Sequence, residues 1–149
     1  MTRLVGINHV ALEVADVDAA LDWYAGIFAF ELRGRAGRHM AFIDMGDQFL
    51  ALSAPRRQPR DDDRHVGLVV EDKEAVRRAL ERGGAEIVPT RGLRFVDPWG
   101  NSVEVVQYDE VQFSKTDAVL RGTGLAHLEK TEGARRELRE KGLGDEAQR

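Results

Sequence analysis

The first third of the chain alternates between apolar and polar residues in a way that predicts a strand, a helix and further strands. Residues 4–14 have the two-residue period of a β-strand. Residues 17–27 change to the 3.6-residue period of a helix, and Asp16 or Asp18 can cap its first turn. Further strands are predicted at residues 30–33, 38–45 and 48–53, the last two joined by the turn Gly46-Asp47. The first unit therefore has the order β-α-β-β-β.

The same order recurs after a charged linker at residues 54–64 that contains two prolines. A strand at residues 65–70 leads into a helix at residues 73–82, which Gly83 and Gly84 should end. The later strands are predicted at residues 86–88, 93–96 and 103–106. Because a unit of this size cannot bury its sheet alone, we expect the two copies to pair within one domain.

The C-terminal tail, residues 109–149, does not follow this repeat. A helix is predicted at residues 125–141, where Glu and Arg recur three or four residues apart. The predicted fold class is therefore α+β, with a first module at residues 1–53, a second at residues 65–108 and a helical tail. We expect the tail to pack on its own domain, to contact a partner across a dimer, or to close a cavity.

A histidine opens the corresponding strand of each unit. His9 begins the sequence His-Val-Ala-Leu-Glu-Val-Ala-Asp, and His65 begins His-Val-Gly-Leu-Val-Val-Glu-Asp. Two of the four histidines of the chain thus occupy the same place in two copies of one unit. This repetition indicates a shared role more strongly than either histidine would alone.

Composition and charge narrow the class of function. The net charge of −4 argues against nucleic-acid binding, which requires clustered positive charge. The absence of cysteine excludes disulfides, thiolate nucleophiles and cysteine-rich zinc sites, so a metal would need His or carboxylate ligands. No apolar run approaches the roughly 20 residues of a membrane span. We expect a cytoplasmic protein with a small-molecule substrate.

Glu104 is the best candidate to complete a metal site with the two histidines. It lies within the apolar run Val103–Val106, where an unpaired charge would be costly. Two imidazoles and one carboxylate would leave coordination positions open for water or substrate. Aligning the sequences of the two hairpins makes Leu50 the equivalent of Glu104, so the first unit supplies no carboxylate at this position. A strand histidine can instead be structural and a strand glutamate can face solvent, but the repeat favours the metal site.

Three further polar residues are candidates for catalysis. Glu13 shares the face of His9, and is either a second acid near the site or a residue at the edge of the sheet. His39 and Arg94 lie on predicted strands whose inward face would line a cavity. Either residue could orient an anionic or oxygen-rich substrate, and either could face solvent. His127, in the tail, is interpreted as a surface residue.

Several motifs match the pattern of a known family. They are Asn8-His9-Val10, the helix containing Trp23-Tyr24, His65-Val66-Gly67-Leu68, and Asp97-Pro98-Trp99-Gly100-Asn101 followed by Glu104. On these motifs, residues 4–108 resemble the vicinal oxygen chelate superfamily, which includes glyoxalase I, extradiol dioxygenases, fosfomycin-resistance thiol transferases and bleomycin-resistance proteins. The resemblance implies two paired βαβββ modules whose mixed sheet curls around a metal-binding cavity, usually in a homodimer.

The resemblance also implies a ligand set, and the sequence departs from the family pattern at three points. His9, His65 and Glu104 match the positions of the family's metal ligands. Leu50 stands where glyoxalase I has a carboxylate. Arg94 stands where extradiol dioxygenases and fosfomycin-resistance enzymes have a tyrosine. The extra acid–base histidines of extradiol enzymes have no evident match in this sequence.

We therefore expect a metal-dependent, glyoxalase- or dioxygenase-like enzyme acting on a small oxygen-rich molecule. Two adjacent oxygens of that molecule would chelate a divalent ion, which the nitrogen and oxygen ligands allow to be Fe, Mn, Zn or Ni. The ligand set favours dioxygenase chemistry, followed by lyase or isomerase chemistry. The alternative is a protein that sequesters a drug or metabolite without catalysis.

Overall fold

The structure is a computed structural model that describes residues 1–144 of the chain. The strands of these residues are β1 (His9–Glu13), β2 (Leu32–Ala36), β3 (Met40–Asp44), β4 (Phe49–Ser53), β5 (Val66–Val70), β6 (Glu86–Val88), β7 (Leu93–Val96) and β8 (Ser102–Gln107). The α-helices are α1 (Val17–Ala25), α2 (Lys73–Arg82), α3 (Asp117–Gly122) and α4 (Glu132–Glu140). In the described part of the chain, no helix combines the length and the apolar character that crossing a membrane requires.

The strands form two separate four-stranded sheets, one from each half of the chain. The strand order is β1-β4-β3-β2 in the first sheet and β5-β8-β7-β6 in the second. β1 runs parallel to β4 and β5 runs parallel to β8, whereas the other neighbours are antiparallel. This confirms the predicted α+β class and the two βαβββ modules. Each module keeps its own sheet. The strand that begins at His9, β1, and the strand that follows His65, β5, are sheet edges.

The helix that follows each of these edge strands begins at an aspartate. The side chain of Asp16 accepts the backbone N–H of Ala19 at 2.8 Å, and that of Asp72 accepts the backbone N–H of Ala75 at 2.9 Å. Each carboxylate satisfies an N–H that has no partner within the helix, which fixes where the helix starts. Both copies of the repeat therefore end in an aspartate, Asp16 and Asp72, because this residue caps the helix that follows.

One hydrophobic core joins the two modules. It includes Leu52 of the first sheet, Phe95 of the second, Tyr24 of α1 and Leu80 of α2, all fully buried. Because side chains alternate along a strand, each sheet also has a face turned away from this core, which we call its open face. The open face of the first sheet carries His9, Ala11, Phe42, Phe49 and Ala51, and that of the second carries Gly67, Val69, Arg94, Glu104 and Val106.

The predicted start of the first strand was wrong. Pairing begins at His9, opposite Phe49, whereas the preceding residues lie outside any strand. Leu4 and Val5 are fully exposed. A strand needs a neighbour to satisfy its backbone groups, and β4 begins only at Phe49. The alternation of apolar and polar residues predicted a longer strand, because it does not reveal where the neighbouring strand β4 begins.

The predicted tail helix at residues 125–141 was also too long. Only Glu132–Glu140 of that range is helical, and a separate helix, α3, precedes it. Within residues 109–144, α3 packs on the turn of the first module, since Val119 lies next to Gly46. Lys130 donates from its ammonium to the backbone carbonyls of Tyr108, Val111 and Phe113. Through these contacts the tail packs against the domain of its own chain, which was one of the predicted alternatives.

Candidate metal centre

His65 and Glu104 meet on the open face of the second sheet. His65 immediately precedes β5, and Glu104 lies on β8 directly beside Gly67. The imidazole Nε2 of His65 is 3.3 Å from the carboxylate Oε2 of Glu104, and the two side chains are 36% and 38% exposed. Because Gly67 has no side chain, the space between the histidine and the glutamate stays open. The sequence prediction of this His–Glu pair is therefore consistent with the geometry.

The spacing of the two groups suits a shared divalent ion. Two ligand atoms about 2.1 Å from one metal, at an angle between tetrahedral and octahedral values, lie about 3.0–3.4 Å apart. The Nε2–Oε2 distance of 3.3 Å falls in this range. On its other side, the Nδ1 of His65 lies 3.2 Å from the backbone carbonyl of Asp63. A carbonyl can only accept, so a neutral His65 that donates from Nδ1 to it has its lone pair on Nε2, the arrangement that metal-bound histidines require.

His9 has a closely similar arrangement on the open face of the first sheet. Its Nδ1 is 2.8 Å from the side-chain oxygen of Asn8, which leaves Nε2 as the free nitrogen. The ring stacks on Phe49, with centroids 4.6 Å apart and planes 7° from parallel. The side chain of His9 is exposed, and its contact with Asn8 and its stacking on Phe49 hold the ring in one orientation. Both repeated histidines are therefore oriented by an oxygen acceptor at Nδ1.

The structure does not bring His9 to the His65–Glu104 pair. The histidine lies on the open face of the first sheet, and the pair lies on that of the second. Among residues 1–144, no group of three or more His, Cys, Asp or Glu side chains is close enough to hold a metal ion. Two of the three predicted ligands thus meet within one chain, and the third is elsewhere on its surface.

Glu13 has a structural partner. Its carboxylate oxygen Oε2 accepts the backbone N–H groups of Arg57 and Gln58, at 3.0 and 2.9 Å. These two hydrogen bonds lower the pKa of Glu13, because they favour the charged carboxylate. The residue that was predicted as a candidate acid therefore fastens the linker to the end of β1.

The predicted strand position of His39 was wrong. His39 lies in the turn between β2 and β3 and is exposed. The tight connection needs residues 37–39, with Gly37 in the left-handed region at φ 59°, so β3 begins only at Met40. The strand was predicted to begin at Arg38 because the sequence does not show how many residues the turn after Ala36 requires.

Arg94 lies where the sequence predicted it, on a strand beside the pair. It is directly across the β7–β8 ladder from Glu104 and shares its open face. Its Nε atom is buried and has no hydrogen-bond partner among the described residues. Of the three catalytic candidates, Arg94 is thus the one that neighbours the His65–Glu104 pair.

The counterpart of Glu104 in the first module is Ala51, not Leu50. Ala51 lies beside Ala11 in the first sheet, just as Glu104 lies beside Gly67 in the second, whereas Leu50 faces the core. The alignment of the two hairpins was therefore one residue out of register with the strand pairing. The first module still supplies no carboxylate at this position.

Sequence reasoning missed the residues that orient the histidines. Asn8 precedes His9 in the sequence, and an amide next to a candidate ligand was an available signal. Neither the Asp63 carbonyl nor the ring of Phe49 could have been found, because their positions depend on chain geometry and strand register.

Comparison with known proteins gives one family match and several relatives. The family described as Glyoxalase/Bleomycin resistance protein/Dioxygenase superfamily matches residues 6–105. The metallothiol transferase FosB of Shouchella clausii is 29% identical over 115 residues, covering 67% of this chain and 78% of that protein.

Solved structures show the same fold over the two modules. A possible glyoxalase from Bacillus cereus is 27% identical, with a TM-score of 0.57 over 69% of this chain and 99% of that one. The fosfomycin resistance protein FosX from Listeria monocytogenes has a TM-score of 0.60 at 16% identity, over 70% of this chain and 94% of that one. A lactoylglutathione lyase from Agrobacterium tumefaciens has a TM-score of 0.57 at 22% identity, over 71% and 96% of the two chains.

Proposed function

The chain belongs to the Glyoxalase/Bleomycin resistance protein/Dioxygenase superfamily, and from this premise we propose that it is a divalent-metal-dependent enzyme acting on a small oxygen-rich molecule. The observation that carries the proposal is the 3.3 Å approach of His65 Nε2 to Glu104 Oε2. Both groups are accessible, and the second imidazole nitrogen is held by a carbonyl. When bound, the divalent ion would supply Lewis-acid polarisation of two adjacent substrate oxygens.

We further propose that the third ligand is His9 of the partner subunit in a homodimer. His9 is exposed on an edge strand, with Nδ1 bonded to Asn8 and Nε2 free, so it is prepared to bind something outside its own chain. The second copy would also cover apolar side chains that water now reaches, including Phe49 and Val106 on the two open faces. Burying such surface is the usual driving force of stable dimers.

The reaction class that we favour is group transfer or lyase chemistry. A dioxygenase of this family would need further acid–base histidines, and His39 lies on an exposed turn. His127, the remaining histidine, pairs with Glu71 at 3.2 Å on the surface. The similarity to a metallothiol transferase supports the same preference.

Elemental analysis of purified, metal-replete protein tests the proposal. We expect close to one divalent ion per chain in the unmodified protein and a sharp loss in Glu104→Gln. Glu71→Gln is the matched control, because Glu71 forms a similar pair with His127 that is fully on the surface. Equal metal content in Glu104→Gln and Glu71→Gln would refute the metal site. Absence of metal from the unmodified protein, with retained binding of a small molecule, would favour sequestration without catalysis.

A further inference from the structure

Arg94 is a guanidinium without a partner beside the proposed metal site. Among residues 1–144 it forms no salt bridge, and its buried Nε–H has no acceptor. Proteins seldom leave a buried donor unpaired, because the lost contact with water is not replaced. The terminal nitrogens of the guanidinium are not buried and form no hydrogen bond among residues 1–144, so an acceptor from outside these residues can reach them.

The acidic side chains near Arg94 are mostly committed to other partners. Arg94 lines a cavity of about 190 Å³ together with Asp61, Asp62 and Glu86. Asp61 is paired with Arg64 at 2.6 Å, and Glu86 is paired with Arg60. Among residues 1–144, Asp62 is the one carboxylate lining this cavity that forms no salt bridge. No carboxylate oxygen of these residues lies within 4.0 Å of a nitrogen of the Arg94 guanidinium.

The register places Arg94 within reach of anything bound at the pair. Residues directly opposite in an antiparallel ladder have Cβ atoms about 4.5–5.5 Å apart on the same face. Arg94 and Glu104 are opposite in this way. A small molecule held next to Glu104 and His65 would therefore lie within reach of the Arg94 side chain.

We propose that Arg94 binds an oxyanion of the substrate, a carboxylate or a phosphonate adjacent to the chelating oxygens. This inference rests on the proposed metal-dependent function and names the substrate class of the same site. A guanidinium offers a planar fork of N–H donors that matches the two oxygens of such a group. The arginine therefore selects an anionic substrate.

A titration of the zinc-loaded protein tests the inference, because zinc leaves the NMR spectrum sharp. The probes are oxalate, methylphosphonate and acetohydroxamate, the last an uncharged chelator at neutral pH. The readout is the Arg94 Nε–H signal, assigned by its loss in Arg94→Lys. We expect oxalate or methylphosphonate to shift this signal, and Arg94→Gln to weaken their binding at least tenfold while acetohydroxamate changes less than twofold. The tighter of the two anions identifies the carboxylate or the phosphonate as the group recognised.

Two results would overturn the inference. One is unchanged binding of both anions in Arg94→Gln, and the other is an equal loss of all three probes. Asp62→Asn is the control for an internal partner, and we expect it to retain or strengthen anion binding because it removes a competing charge. If Asp62→Asn weakened anion binding as much as Arg94→Gln does, we would conclude that Arg94 pairs with Asp62 and does not bind a ligand.

Failure of the metal proposal is distinguishable from failure of this one. If the protein takes up no zinc, the metal site is refuted, and the metal-free protein is titrated with the same anions. A saturable shift of the Arg94 Nε–H signal would then retain Arg94 as an anion site, and no shift would overturn it.

Discussion

The hydroxyl of Tyr24 donates a hydrogen bond to the carboxylate of Asp97 across 2.9 Å, and both side chains are buried. Tyr24 lies on α1 of the first module, and Asp97 opens the loop between β7 and β8 of the second. The same carboxylate accepts the backbone N–H groups of Trp99 and Asn101. One buried aspartate thus shapes the loop and ties the two modules together.

Tyr24→Phe should destabilise the fold by about 1–3 kcal/mol, because it removes a donor from a buried carboxylate. Burial and the neighbouring Asp97 raise the pKa of Tyr24 well above its ordinary value. The phenol therefore stays protonated and remains a hydrogen-bond donor at neutral and mildly alkaline pH. Urea unfolding measures the loss. Tyr108→Phe is the control, since the Tyr108 hydroxyl has no hydrogen-bond partner among residues 1–144 and its removal should be nearly neutral. Equal stability of the two variants would contradict the proposed link.

Glu13→Gln should change stability and leave metal content intact. The folded-state pKa of Glu13 is lowered by its two backbone donors, Arg57 and Gln58. Its stabilising contribution is therefore complete above the ordinary glutamate pKa of about 4.3 and is lost as pH falls through the lower folded value. Melting curves between pH 7 and pH 3 should fall more steeply for the unmodified protein than for the variant. Loss of metal from Glu13→Gln would instead restore its role as an acid near the site.

The repeat made most of the fold predictable from the sequence. The bounds of α2, β6 and β7 were predicted correctly, because caps, glycines and apolar alternation agree there. The sequence also predicted that His65 and Glu104 act together, because the histidine is repeated and the glutamate lies inside an apolar run, and their side chains lie 3.3 Å apart.

The parts that sequence could not give depend on partners in space. The late start of β1 at His9 depends on where β4 begins. The placement of His9 on a different sheet from Glu104 depends on how the two modules pack, which a pattern within either module does not encode. The counterpart of Glu104 is Ala51 and not Leu50 because the pairing of β1 with β4 sets the register, which the match of turn residues does not reveal.

Gly46→Ala should be more destabilising than Gly37→Ala. Both glycines have positive φ, 88° and 59°, so each substitution has a backbone cost of about 1–2 kcal/mol. A Cβ at Gly46 would also lie 2.9 Å from Val119 and 3.1 Å from Thr123, whereas a Cβ at Gly37 meets nothing within 4 Å. Overpacking of this kind adds about 1–3 kcal/mol. Chemical denaturation of both variants measures the difference, and equal values would show that α3 does not pack on the turn.

Lys130→Met should release the tail while preserving the two modules. The ammonium of Lys130 donates to three backbone carbonyls and lies 3.5 Å from the centroid of the Tyr108 ring. Methionine keeps most of the apolar stem but removes the donors, at a cost of about 2 kcal/mol. Hydrogen exchange should become faster in α4 and stay unchanged in the sheets. Arg136→Met is the control, because Arg136 is exposed on α4 and forms no hydrogen bond or salt bridge among residues 1–144. Similar exchange in the two variants would refute the clamp.

A mixed dimer tests most directly whether one site is built from two chains. His9→Ala and Glu104→Gln chains are given different tags and co-expressed, and the dimer carrying both tags is isolated for elemental analysis. Each variant alone should lack stoichiometric metal, because every site misses one ligand. The mixed dimer should bind one ion, since one of its sites combines His9 of the Glu104→Gln chain with His65 and Glu104 of the His9→Ala chain. A mixed dimer without metal, or full metal content in His9→Ala alone, would contradict the account.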